Sequence, residues 1–282
     1  MVNTCEKQRI SLYYASNDYN AMLTASSFIN GLAAQGQFTF TTVEAVHALG
    51  GSEVAVRAAL RRLTAKSELA SPYRGFHTIV PPEYRRLGCL PADQFLPQLM
   101  KHLDQTYYVA LLSAAELHGA AHQRPQGLQV MVRSNRRPIV CGKVRVQFYA
   151  RNDLEQTAIV ERNTPRGRIR VASPEATALE LVGYADQCAG LDNVISVLAE
   201  LVDVLDKRRL KADAKNCPVA WVQRLGYLLD LAGYEKIAEA LISVVAARAQ
   251  VVAPLVRSQP ITQAPRSERW KLAINATVEP QE

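Results

Sequence analysis

The chain has 282 residues, 48% hydrophobic and 21% charged, the composition of a globular protein with room for one large domain or two ordinary ones. It has no run of 18 or more apolar residues, and its first twenty residues lack the apolar core of a secretion signal. The expectation is therefore a cytoplasmic protein with no membrane partner. Five scattered cysteines, Cys5, Cys89, Cys141, Cys188 and Cys217, form no C-x-x-C pair, which argues against a disulfide framework or a zinc site and leaves idle or buried thiols.

The net charge of +7 is unevenly spread. Residues 57–170 carry 19 basic against 8 acidic side chains, while residues 1–56 and 171–282 each carry two more acids than bases. A basic band of this kind suits a polyanion such as DNA or RNA, or is a solvated surface.

In chain order, residues 1–18 show no period and read as a tail. Met22, Ser26, Ile29 and Leu32 place a helix over Asn20–Ala34, ended near Gly36. Thr41 stands three residues before Glu44, the spacing of a capping box, and a short helix follows through Val43, Val46, His47 and Leu49. Gly50-Gly51 breaks it, and Ser52 caps a new helix. This helix carries Val56, Leu60 and Leu63 on one face and Arg57 and Arg61 on another, with Arg62 and Lys66 nearby. SELAS and FHTIV then read as strands joined by a turn at Pro72–Gly75. That order predicts a winged helix-turn-helix over residues 19–82, with punctuation at Pro81-Pro82.

The remainder, residues 92–282, reads as a larger mixed α/β domain with a helical carboxy-terminal half, so the fold class expected is α+β. PADQFLPQLMKHL and YYVALLSAAELHGAA read as helices. LQVMVRS, IVCGKVRVQFYA, TAIVERN and GRIRVAS read as strands, the last two joined at Thr164–Gly167. Ser173-Pro174-Glu175 is a strong helix start. Helices run on to about Arg248 with breaks near Gly190, Asp206, Pro218 and Gly233, and ERWKLAINATVE reads as a closing strand.

A recognition helix needs an apolar face to dock on its own domain and donors on the other to reach phosphates and base edges. Arg57, Arg61 and Arg62 are candidates for guanine contacts, because the planar guanidinium fork matches O6 and N7. Ser52 and the amides at the helix start suit a phosphate; the wing-tip Arg74 suits a flanking groove or the backbone, and Lys66 is a further DNA-binding candidate. A winged helix used only for protein contacts is the alternative. A second basic group comprises Arg124, Arg133, Arg136, Arg137, Lys143, Arg145 and Arg151, followed by Arg162, Arg166, Arg168 and Arg170 on the hairpin. Lys143 with Arg145, and Arg166 with Arg168 and Arg170, alternate with other residues and are expected to share faces. They are candidates for further DNA contacts, or for an acidic partner or RNA, or are a solvated sheet face.

No positive argument for catalysis emerges. His118 and His122 stand four apart near Glu116, but the H-E-x-x-H arrangement is absent and Gly119 weakens the helix. Gly50-Gly51-Ser52 is not followed by the paired acids of a nucleotidyltransferase, and Asp153-Leu154-Glu155 lies far from it. Asp213-Ala214-Lys215 has nuclease-like spacing without partner acids, and no phosphate loop or nucleophile motif is present. No metal and no cofactor are expected.

The stretch YRGFHTIVPPEYRRLGCLPADQFLPQLMKHLDQTYYVALLSAAELHGAAHQRPQ resembles the central block of AbiEi-type antitoxins of type IV toxin–antitoxin systems. SPEATALELV, LDNVISVLAELV, PVAWVQRLGYLLDLAG and RWKLAINATVE resemble further blocks, so the likeness covers roughly residues 23–280. It implies a non-enzymatic, bipartite protein of phage defence. The amino-terminal winged helix would bind inverted repeats in double-stranded operator DNA and repress its own operon. The carboxy-terminal domain would counter a cognate AbiEii-type toxin resembling a nucleotidyltransferase, directly or indirectly. Arg57, Arg61, Arg62, Lys66 and Arg74 stand at the positions implied for the positive face. The rival expectation is an RNA-binding or nucleic-acid-processing factor whose winged helix is an adaptor.

Overall fold

The computed structural model describes residues 24–120 and 125–279. The expectations for the tail, for the helix before Thr24, and for Cys5, His122 and Arg124 lie outside the described residues.

Helix α1 (Ala25–Ala34) starts at Thr24, whose hydroxyl accepts from the Ser27 amide, and buries Phe28, Ile29 and Leu32. Ser26, expected on that stripe, is exposed. Strand β1 (Thr39–Thr41) was not anticipated, because three residues are too few to show a period. Thr41 then closes the expected capping box: its amide donates to Glu44 Oε2 at 2.6 Å and the Glu44 amide donates to Thr41 Oγ1 at 3.1 Å. Helix α2 (Thr42–Leu49) follows, then α3 (Glu53–Ala65), entered through Gly50 and Gly51, both at positive φ. Strands β2 (Leu69–Tyr73) and β3 (Phe76–Ile79) form a hairpin, and β1 completes a three-stranded sheet in the order β1-β3-β2. Phe28, Ile29, Leu32, Phe40, Ala45, Val56, Leu60, Leu63, Leu69 and Ile79 form one buried cluster, in which Phe28 meets Phe40 edge-on at 5.2 Å.

Helix α4 (Ala92–His102) begins at Pro91, as expected. The next stretch departs from its helical reading. Tyr107–Val109 is strand β4, and only Leu111–Leu117 is helix α5. Two aromatics and a valine suit the sheet interior, and the apolar run continuing into α5 hid the change of period. Strands β5 (Leu128–Val132), β6 (Ile139–Cys141), β7 (Val144–Ala150), β8 (Ile159–Thr164) and β9 (Gly167–Ala172) complete a mixed sheet in the order β6-β7-β5-β4-β9-β8. The stretch read as one strand, IVCGKVRVQFYA, is thus a hairpin folded at Gly142-Lys143. A side chain on Gly142 would collide with the carbonyl of Leu87, to which the Lys143 amide donates at 2.7 Å.

Ser173 caps α6 (Pro174–Gly183), its hydroxyl accepting from Ala176. Helices α7 (Leu191–Leu201), α8 (Lys207–Ala214), α9 (Val219–Leu231) and α10 (Glu235–Arg248) follow with the expected breaks. The closing strand is shorter than expected: β12 (Leu272–Ala273) lies between β10 (Ala253–Pro254) and β11 (Arg266–Ser267). The sheet and these helices share one large core, which Ala70, Phe76 and Val80 of the first unit also enter. The chain is therefore mixed α and β throughout, and among the described residues no helix is long and apolar enough to cross a membrane.

Candidate nucleic-acid interface

Helix α3 separates its faces cleanly. Val56, Leu60 and Leu63 are buried, so the helix has one fixed orientation on its unit. At about 100° per residue, Val54, Ala58, Arg61 and Ala65 lie on the opposite stripe, and Arg57 and Arg62 stand to either side of it. Arg57, Arg61, Arg62 and Lys66 are all exposed. Arg57 pairs with Glu53 one turn earlier at 2.5 Å, with both side chains more than half exposed. A pair in that setting contributes little and is readily exchanged for another anion. Ser52 is exposed, and its Oγ accepts from the Ala55 amide at 3.2 Å, which leaves its own proton to donate outward. Arg74 is exposed at the turn of the β2–β3 hairpin. A helix face with this many guanidinium groups suits a polyanion.

The second basic group divides. Arg133, Arg137, Lys143, Arg145 and Arg168 are exposed, Arg133 pairing with Glu155, and Arg168 with Glu161 at 3.1 Å. Arg162 is exposed and donates to His118 Nδ1 at 2.8 Å. Arg136 is half-buried, with its guanidinium 5.6 Å from the Tyr73 ring and 5.9 Å from the Phe148 ring. Of the face expected for Arg166, Arg168 and Arg170, only Arg168 and Arg170 lie together on β9. Arg166 sits in the turn before β9, its Nε donating to Gln94 at 2.9 Å and its guanidinium over Phe38, while Arg170 is half-buried. Lys143 likewise lies in the turn before Val144 rather than on β7 beside Arg145. Arg151 belongs to no surface: it is 8% exposed.

Arg151 instead anchors a polar cluster that sequence reasoning missed. Its Nη1 donates to Glu180 Oε1 at 2.6 Å and its Nε to Asp153 Oδ1 at 3.1 Å. The Tyr108 hydroxyl donates to the same Glu180 oxygen at 2.7 Å. Burial pushes the Glu180 carboxyl up to about 7, against the pull of Arg151. Glu180 Oε2 is buried without a hydrogen-bond partner, beside a cavity of about 20 Å³ lined by Arg151, Asp213, Asn216 and Trp221. That is room for about one water molecule. The available signal was an acid set between Leu179 and Leu181 in a mostly apolar helix.

His118 is occupied by structural bonds. Nε2 meets the Ala172 carbonyl at 2.7 Å and so carries the proton, while Nδ1 accepts from Arg162. Both ring nitrogens are used, which leaves no lone pair for a metal. Cys89, Cys188 and Cys217 are buried and Cys141 is half-buried. Burial pushes the Cys188 and Cys217 thiols up to about 12, which keeps them unreactive.

Residues 108–231 match the family model described as the AbiEi antitoxin C-terminal domain. Over this stretch the chain is similar to AbiEi-type antitoxins. No curated protein matches the chain. Among solved structures, the Rv2827c protein from Mycobacterium tuberculosis is similar at 20% identity with a TM-score of 0.63, over 88% of this chain and 90% of that one, so the two share a fold. An antigenic nucleotidyltransferase-like protein from Paracoccidioides brasiliensis aligns over 53% of this chain and 90% of its own at 10% identity, with a TM-score of 0.35, too low to show a common fold. The matched stretch contains the whole Arg151–Glu180–Tyr108 cluster, whereas α3 and its arginines precede it.

Proposed function

We propose that this chain is the antitoxin of a type IV toxin–antitoxin pair and also represses its own operon by binding duplex DNA. Residues 19–82 form a winged helix-turn-helix in this reading, and residues 92–282 the antitoxin domain that counters a nucleotidyltransferase-like toxin, directly or indirectly. The supporting observation is the two-sidedness of α3: Val56, Leu60 and Leu63 buried beneath, and Arg57, Arg61 and Arg62 exposed beside the β2–β3 hairpin with Arg74 at its turn. Such a helix enters a major groove as a rigid unit, with the hairpin as wing. Phosphate contacts supply most of the affinity, and each bidentate arginine–guanine pair adds about 1–3 kcal/mol of discrimination. Arg133, Arg137, Lys143 and Arg145 extend the positive surface beyond the wing, because β6 packs against β2 and Arg136 reaches Tyr73.

The test is an electrophoretic shift of the duplex immediately upstream of this reading frame, paired with co-expression of the neighbouring toxin. Arg57→Ala combined with Arg61→Ala abolishes the shift and leaves toxin rescue intact. Normal shifting by the double variant would remove α3 from the interface. Rescue by residues 92–282 alone is the matching expectation for the other half of the chain.

A further inference from the structure

Val43 and Val54 are 77% and 78% exposed, the most exposed of the large hydrophobic side chains among the described residues. Each stands in the first turn of a helix, on α2 and α3 respectively. Val54 is the more telling. It lies on the outward stripe of α3, two turns before Arg61 and diametrically away from the buried Val56–Leu60–Leu63 stripe. Its neighbours along that stripe, Ala58 and Ala65, are small, so the helix axis can approach a surface closely there. Local stability does not explain a valine at this place. A β-branched residue is a poorer helix former than the alanines around it, and an exposed position gains nothing from its methyls. Arginines flank the stripe on both sides, so a partner seated on it is anionic at its margins and offers an apolar group at its centre. In the major groove of duplex DNA the C5-methyl of thymine is that group, set between two phosphate backbones. Residues at the start of a groove-lying helix are also the ones that reach base edges.

We infer that Val54 reads a thymine methyl in the major groove, and so sets part of the sequence preference that the arginines alone leave open. The inference rests on the DNA-binding reading above and specifies which base α3 selects. Val54 acts by burying apolar area rather than by hydrogen bonding, so it favours thymine over cytosine and over uracil, which lacks the methyl.

The experiment is a cycle between protein and DNA, using the full chain and the duplex immediately upstream of the reading frame. Thymines in the footprint are replaced one at a time by uracil, and affinities are measured for the wild type and for Val54→Ala. Because Val54 is exposed and alanine favours helix, the variant folds; its circular dichroism and melting temperature check this. At one or two thymines the wild type loses about 4-fold in affinity on removal of the methyl, the factor that about 0.8 kcal/mol for a buried methyl gives. Val54→Ala binds the unmodified duplex more weakly by a similar factor and is indifferent to uracil at those same positions. An unchanged affinity of Val54→Ala, or equal losses for both proteins at every substituted thymine, would overturn the assignment while leaving DNA binding intact. Failure of both proteins to shift any duplex would overturn the DNA-binding reading and this inference together.

Discussion

The guanidinium of Arg166 lies 3.2 Å from the centroid of the Phe38 ring, so the β8–β9 turn of the large sheet clasps the segment just before β1. The same side chain donates to Gln94 and approaches Glu83 at 3.9 Å, and only 16% of it is exposed. A residue that by charge alone belonged to a binding face thus joins the large sheet to the segment before β1. Arg166→Ala should lower stability by about 1–2 kcal/mol, the range of a desolvated cation–π contact. Arg166→Lys should recover little of it, because an ammonium cannot stack or keep the Nε bond. Chemical denaturation measures both, and a wild-type midpoint for Arg166→Ala would show the contact to be idle.

Salt dependence separates the exposed cations by what they touch. On the proposed reading, Lys66→Ala and Arg74→Ala each remove about one phosphate contact. Each therefore flattens the plot of log affinity against log salt by about one unit. Arg166→Ala should leave that slope unchanged. A residue whose loss weakens binding without altering the slope contacts bases instead.

The Glu180 carboxyl has a pH signature. Burial raises it from 4.5 to about 7, so the folded chain holds this proton more tightly than the unfolded one. Its contribution to stability is complete below about pH 4.5 and lost as pH rises through about 7. Glu180→Gln cannot titrate. The stability of this variant relative to the wild type should therefore climb by roughly 3 kcal/mol across that window and then level off. Denaturation curves at several pH values measure the difference, and a constant difference would place the titration elsewhere.

Gly226 in α9 faces the buried ring of Trp270, whose indole N–H donates to Asp230 at 2.7 Å. A β-carbon on Gly226 would overlap the ring, and the indole is held by that bond. Gly226→Ala should cost about 1–3 kcal/mol despite the gain in helix propensity. Thermal melts check it, and a raised melting temperature would mean that the ring yields. Trp270→Phe combined with Gly226→Ala should lose less than the two changes add up to.

Local chemistry was legible in the sequence wherever it depended on neighbours along the chain. The Thr41–Glu44 box, the Ser52 and Ser173 caps and the buried stripe of α3 all follow from spacing, and so does the exposure of Arg57, Arg61 and Arg62. What escaped depends on distant partners. Strand β1 exists because Thr39–Thr41 pair with Phe76–Thr78. Tyr107–Val109 is strand because β5 and β9 flank it. Arg151 and Arg166 look like their exposed neighbours until Glu180 and Phe38 arrive from 29 and 128 positions away. Arginine counts thus overstate a surface when a sheet and a helical layer supply carboxylates and rings to absorb some of them.

The bond from Lys143 to the Leu87 carbonyl, with the bare Gly142 wedged beside it, removes the swivel from the stretch that follows β3. The basic helix therefore keeps one bearing relative to the large sheet. Two such proteins sharing a stretch of duplex could not adjust by twisting at the waist; inserting about five base pairs between their sites would turn them to opposite sides of the double helix.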